Sequence, residues 1–317
     1  MAEVARLVLR RLGATIPVLV IVTSGVFLLL HLTPGDPIDV MMAESADATV
    51  KENLRRELGL DRPLAVQYVR WMGRLCRGDL GRSIRNGEPV IENVSRRIRP
   101  SLELALFAMG ISVVVAFPMG ILSAVRRGTG ADRVGTTFAL FGICMPNFLL
   151  ALLLIFLFGV TLRWLPISGY TDPLEEPLAG LRALALPAIT LGLALAAVIT
   201  RTLRSSLIEV LSEDYIRTAR AKGLRERAVV LKHGVRSAIT PIVTAAGLDI
   251  GILLGGAILT ESVFNIPGIG RLAYDSIQNS DLPMIQGTVL MGAFFIVLAN
   301  LVVDILYAFL DPRVRYT

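Results

Sequence analysis

The sequence predicts an all-α integral membrane protein with six spanning helices. Three observations carry that prediction: an apolar excess, six long runs nearly free of charge, and a one-sided distribution of basic residues. Of 317 residues, 54% are hydrophobic and 18% charged, where soluble domains carry about 25% charge. A soluble chain of this length needs more polar surface than that to cover its core. Disorder, a fibrous repeat and a disulfide scaffold are excluded, and the bilayer is indicated as solvent. The two cysteines, Cys76 and Cys144, sit in very different surroundings and imply no disulfide framework.

A hydrocarbon core of about 30 Å needs about 20 helical residues. Five uncharged runs approach or exceed that length, at 12–35, 104–125, 134–162, 183–200 and 282–303. A sixth, 237–260, is interrupted only by Asp249. The first run follows Arg6, Arg10 and Arg11, as a signal peptide would. Its apolar stretch is too long for that and no small-x-small cleavage site follows, so it is read as a retained helix. Six spans place both termini on one side.

Short loops decide which side. With the termini inside, the inner segments hold Arg6, Arg10, Arg11, Arg126, Arg127 and Arg133, nine Lys or Arg between Arg201 and Arg236, and Arg313 and Arg315. The short outer loops hold only Arg163, Arg182 and Arg271. Such an asymmetry fixes cytoplasmic termini. The long outer segment is rich in both signs of charge and is exempt from the rule. The net charge of +6 therefore reflects membrane orientation and calls for no nucleic-acid partner.

The chain then divides into 1–35 with the first span, an extracytoplasmic loop 36–100, and a core 101–317 carrying the other five spans. The outer loop predicts a polar helix around 49–58 and an amphipathic one around 64–75. A Gly-rich turn follows, Gly78-Asp79-Leu80-Gly81. Two readings stay open for it: a cap over helix ends, or a docking surface in which Gly78, Asp79, Gly81 and Ser83 are the candidates. The inner connector, 201–236, is long for its position. Asp214 is the expected N-cap and Gly223 the expected C-terminal turn residue of a helix at 215–222. A second helix is expected at 225–233. Tyr215, Ala219 and Lys222 share one face of the first.

Several chemistries are missing from the sequence. None of Lys51, Lys222 and Lys232 follows a glycine, so no Walker A loop exists to cradle a nucleotide phosphate. His31 and His233 fall on opposite sides of the membrane, which excludes a two-histidine metal site. No Gly-x-Ser-x-Gly turn occurs. A membrane hydrolase has no support, and no cofactor is implied. Asp249 and Asp304 lie in apolar runs, where acids usually face a bundle interior or water. Asp304 is near the inner end of its helix and suits pairing or snorkelling. Asp249 is flanked by Gly247, Gly251 and Gly255, a ridge that lets helices approach closely. Packing glue and a pathway-lining role both remain open for it. An ion-coupled carrier would rest on Asp249 alone, and the chain lacks the internal repeat such carriers usually show.

The connector Glu213-Asp214-Tyr215-Ile216-Arg217-Thr218-Ala219-Arg220-Ala221-Lys222-Gly223-Leu224 closely resembles the coupling loop of bacterial ABC importer permeases, the dipeptide/oligopeptide/nickel branch above all. Arg217-Thr218-Ala219 stands where the general pattern has Glu-Ala-Ala, and Ile239-Thr240-Pro241 arrives late, as it does in the peptide branch. The likeness runs on through Pro34-Gly35-Asp36-Pro37, Gly78-Asp79-Leu80-Gly81-Arg82-Ser83 and Leu165-Pro166-Ile167-Ser168-Gly169. It continues in Glu261-Ser262-Val263-Phe264-Asn265-Ile266-Pro267-Gly268-Ile269-Gly270 and Asp311-Pro312-Arg313-Val314-Arg315-Tyr316. The long first outer loop resembles the first of the two permease subunits of such systems.

The resemblance implies the type I importer fold, in the bacterial cytoplasmic membrane. It implies a non-catalytic half of a pathway, paired with a second permease, two ATPases and an extracytoplasmic substrate-binding protein. Asp214, Tyr215, Ala219, Lys222 and Gly223 would then form the ATPase contact, with Ala219 packed on the ATPase surface. The implied substrate is a dipeptide or oligopeptide. Nickel chelates, glutathione or another small solute are the alternatives.

Overall fold

The computed structural model describes residues 2–32, 49, 55–56, 61–254 and 257–310. The polar outer helix expected at 49–58 lies almost wholly outside them. Helices account for nearly all regular structure, and among the described residues the strand geometry is a lone bridge between Arg82 and Pro89.

The chain begins with α1, Ala2–Leu32. The amphipathic outer helix forms where the pattern predicts it, as α2, Leu64–Leu75. Next comes α3, Val90–Val125, whose 36 residues span about 54 Å at 1.5 Å each. It therefore exceeds a bilayer core, and its first turns, with Glu92, Arg96, Arg97 and Arg99, project beyond it. The boundary expected at residue 100 thus falls inside a continuous helix.

The apolar run 134–162 is bent rather than straight. Helix α4, Gly130–Cys144, meets α5, Asn147–Leu154, which runs on as a π-helical stretch, Ile155–Thr161, at an angle of 106°. Pro146 explains the break, because a proline lacks the amide a helix needs and drives the residue before it to extended backbone. Met145 sits there at φ −74°, ψ 121°.

The longest contact in the molecule is between α3 and α6, Pro177–Leu211. Alanines line it, Ala105, Ala108 and Ala116 facing Ala188 and Ala196, with Leu104, Leu184, Leu191, Ile199 and Leu203 between them. Small side chains let two helices close in where no hydrophobic effect drives them together. In its most apolar stretch α6 is 67% buried, against 33% for α3. It is the central helix. After it come α7, Asp214–Ala221, and α8, Glu226–Ala228. The latter passes through a π-helical stretch, Val229–Val235, into α9, Arg236–Leu254. The second connector helix expected at 225–233 is thus the first part of a longer rod that ends in α9.

The outer side then folds two short helices, α10, Ile258–Val263, and α11, Ile269–Gln278, before α12, Leu282–Leu310, crosses back. Among the described residues, α3, α6 and α12 are long and apolar enough to cross a bilayer unaided, and the bent α4–α5 pair makes a fourth span. Exposed Val114, Phe141 and Phe156 on these helices suit a lipid-facing surface rather than marking a defect.

Candidate functional site

The connector starts where α6 ends. Glu213 takes an extended conformation at the N-cap position, and Asp214 is the first helical residue. The expected N-cap is therefore displaced by one residue, and no side chain caps this end. A carboxylate in the first turn still opposes the positive end of the helix. Asp214 also pairs with Arg217 at 3.3 Å, both side chains in the open.

The other end closes on Gly223, at φ 77°. Its amide donates to the Arg220 carbonyl at 2.9 Å, and the Leu224 amide reaches the Ala219 carbonyl at 3.4 Å. Those two bonds are the Schellman closure, which needs a left-handed residue at this position. No neighbouring atom crowds Gly223. Backbone conformation alone demands glycine there.

The faces of α7 correct one expectation. Ile216 and Ala219, three residues apart, are buried with Val229 and packed against Leu211. Ala219 is thus covered by its own chain and is not presented to a partner. The apolar stripe of so short a helix is consumed in seating it. The face left open carries Tyr215, 45% exposed, with Asp214, Arg217, Thr218 and Lys222.

Two ties make the connector rigid. Arg220 donates twice to Glu226, from Nε to Oε2 at 3.2 Å and from Nη2 to Oε1 at 2.8 Å. That guanidinium holds the Glu226 carboxyl below its ordinary range. Val230 joins the buried cluster of Leu203 and Leu207 on α6. Helix α7 is consequently clamped between the end of α6 and the start of the α8–α9 rod.

A further brace went unread in the sequence. Arg204 of α6 grips Asp132 at the start of α4 through Nε at 2.6 Å and Nη2 at 2.9 Å. The Gly128 amide, at 2.9 Å, also donates to that carboxylate. The available signal was Asp132 itself, the single acid in the basic stretch 126–133.

The opposite end of the bundle is stitched by carboxylates. Gly78 and Gly81 take positive φ, and the Asp79 carboxylate accepts from the Gly81 amide at 2.8 Å. Gly78 and Asp79 are exposed. Ser83 is buried, and its hydroxyl donates to Asp281 at the foot of α12. Its expected place on a docking face is corrected: the loop is fastened through it, leaving Arg82, Arg85 and Asn86 at the surface. Glu261 is fully buried on α10. It accepts from Ser101 Oγ of α3 at 2.7 Å and from the Arg271 amide at 2.9 Å, while Ser101 Oγ accepts from the Ile269 amide at 2.9 Å. Arg99 bridges Glu103, at 3.0 Å, and Asp172, and Tyr170 donates to Glu103 at 2.8 Å. The roles of Asp281, Glu261 and Asp172 could not be read from sequence, since each finds a partner far along the chain.

On α9, Gly247 lies against Val303 of α12 so closely that any side chain there would collide with it. Asp249 and Gly251 lie on the same helix, and Gly255 falls outside the described residues.

Comparison with known proteins bears on both faces. The family described as "Binding-protein-dependent transport system inner membrane component" matches residues 116–316, and its N-terminal counterpart matches residues 4–105. The chain is 45% identical to the glutathione transport system permease protein GsiC of Pectobacterium atrosepticum over 308 residues, 97% of this chain and 98% of that one. It is 47% identical to the same-named protein of Salmonella paratyphi A, covering 98% of each. A probable peptide ABC transporter permease protein, y4tP of Sinorhizobium fredii, is 42% identical over 98% of this chain and 99% of its own. Among solved structures, a chain of the inward-facing MetNI methionine ABC transporter superposes with a TM-score of 0.58 at 20% identity. The match covers 71% of this chain and 99% of that one, and it establishes likeness of fold.

Proposed function

Because the chain belongs to the binding-protein-dependent transport system inner membrane components, and is a permease subunit of an ABC importer, we propose that it imports small peptides. In this reading it forms half of the pathway beside a second, homologous permease. Two cytoplasmic ATPases drive the pair, an extracytoplasmic binding protein delivers the substrate, and this subunit itself catalyses nothing. The names of its relatives support a substrate with a peptide backbone, glutathione being itself a tripeptide. Cytoplasmic termini follow from the basic asymmetry of the loops. An impermeant thiol reagent should then reach the exposed Cys76 in intact cells.

The observation that carries the mechanism is the seated helix α7. ATP closure in a separate subunit needs a rigid lever, and α7 is held by α6 and the α8–α9 rod with its polar face open. Tyr215 is the anchor offered to an ATPase groove, flanked by Thr218 and Lys222 in the manner of helix-in-groove recognition. Asp214 favours the helix start and Gly223 turns the chain away. Ala219 positions the lever from beneath. On the ridge, Gly247 keeps α9 tight on α12, helix packing is the role proposed from sequence for Gly251 and Gly255, and Asp249 is assigned to the pathway or its wall. Gly78, Asp79 and Gly81 shape the turn offered to the binding protein, which Ser83 anchors.

The test uses the assembled transporter in proteoliposomes. Tyr215→Ala leaves Ile216 and Ala219 to seat α7, yet should reduce ATPase retention and uptake of a labelled dipeptide in parallel. Glutathione should compete with that uptake and a nickel chelate should not. Full uptake with bound ATPase would refute the lever, and competition by the chelate alone would refute the substrate class.

A further inference from the structure

Helix α2 lies across the Leu32 end of α1. Tyr68 and Ser24 share a hydrogen bond of 2.7 Å, and the rings of Phe27, Tyr68 and Trp71 cluster with centroids 5.3 to 6.4 Å apart. Between the two helices runs an apolar cleft of about 270 Å³, lined by Ser24, Phe27, Leu28, Leu64, Ala65 and Tyr68. Leu28 and Leu64 are half exposed at its edge. One wall of the cleft is therefore an apolar helix whose neighbouring Ile21 is 71% exposed. The cleft thus opens beside exposed apolar side chains.

The polar side of α2 is equally distinctive. No residue of the helix is buried, Val66 and Val69 are exposed, and 64–75 contains no acid. Arg70 and Arg74, four residues apart, share its polar face, and Arg77 follows. An apolar face with an aromatic belt and arginines opposite is the pattern of a helix lying in the plane of the membrane interface. Arginine suits a phosphate because its donors form a fixed fork.

We propose that the α1–α2 cleft holds an acyl chain of an anionic phospholipid, whose headgroup phosphate is met by Arg70 and Arg74. The site rests on the membrane placement of α1 and is independent of what the importer carries. It fastens the outer loop to the bilayer.

Two tryptophans, Trp71 and Trp164, make this measurable. The full chain with Trp164→Phe leaves Trp71 as the single reporter beside the cleft. It is reconstituted in phosphatidylcholine vesicles containing either brominated phosphatidylglycerol or brominated phosphatidylcholine, with insertion checked by flotation. Both leaflets carry the probe, so the outcome does not depend on orientation. Trp71 should be quenched by both lipids, and more strongly by the anionic one. Arg70→Glu and Arg74→Glu should each remove roughly fivefold of that preference. Ala65→Phe, which fills the cleft, should weaken quenching by both lipids. An unquenched Trp71 in inserted chain would overturn the site and leave α2 to a protein partner. Equal quenching by the two lipids would overturn the headgroup contact.

Discussion

The inner connector and the outer cap are both polar segments packed against the same bundle, yet they are held by opposite means. The connector closes on itself: Ile216 and Ala219 meet Val229, Arg220 meets Glu226, and Gly223 folds back on Arg220. The cap closes over long distances. Ser83 reaches Asp281 across 198 positions, Ser101 reaches Glu261 across 160, and Arg99 reaches Asp172 across 73. Local ties suit the lever proposed for α7, which would have to stay rigid while the helices beneath it move. A cap that joins distant helices is instead sensitive to how those helices are arranged. Its buried carboxylates are where a change in the bundle would register.

Four changes would break or sharpen that contrast. The largest effect should come from Glu261→Ala, which strands the Ser101 hydroxyl and the Arg271 amide in a buried place. Unfolding free energy in detergent should fall by about 3 kcal/mol, with retained ATPase unaffected. A loss confined to ATPase binding would show that the two faces are not separately held. Ser83→Ala should follow, at about 1–2 kcal/mol, since it removes one donor from the buried Asp281 carboxylate. Limited trypsin digestion at Arg82 and Arg85 should accelerate, and unaltered digestion would show that the loop is fastened elsewhere.

Gly223→Val should cost on the order of 1 kcal/mol, the penalty for a branched residue in left-handed backbone. Here the readout is reversed: the bundle keeps its thermal stability while ATPase retention drops. The smallest effect belongs to the Arg220–Glu226 pair, which is half exposed and is worth well under 1 kcal/mol. Glu226 has a depressed folded pKa, so its contribution is present above the unfolded value of about 4.3. It is lost as pH falls through the folded value. Arg220→Gln should abolish this acid sensitivity of the connector, and so should high salt. Persistence of the pH response in Arg220→Gln would assign it to another carboxylate.

These contrasts also mark which features could be read before folding. A fold of membrane-spanning helices was legible because run length and loop charge are properties of contiguous residues. The end of α7 was legible for the same reason, since Gly223 closes a helix only a few residues long. Ala219 was read on the wrong side of α7 because helical spacing gives a face but not what covers it. Val229, ten residues on, takes that face. Ser83 was read as surface because a Gly-rich turn usually is, and Asp281 reverses it from 198 positions away.

By itself, then, the sequence determined the solvent of this protein, its helical class, its family and the end of the short connector helix α7. Those depend on composition, periodicity and signals no longer than a dozen residues. Tertiary structure alone decided the Arg204–Asp132 brace and the burial of Glu261 against Ser101. Each of these depends on which distant helices lie side by side. A buried carboxylate is stable only where its donors have already been brought to it.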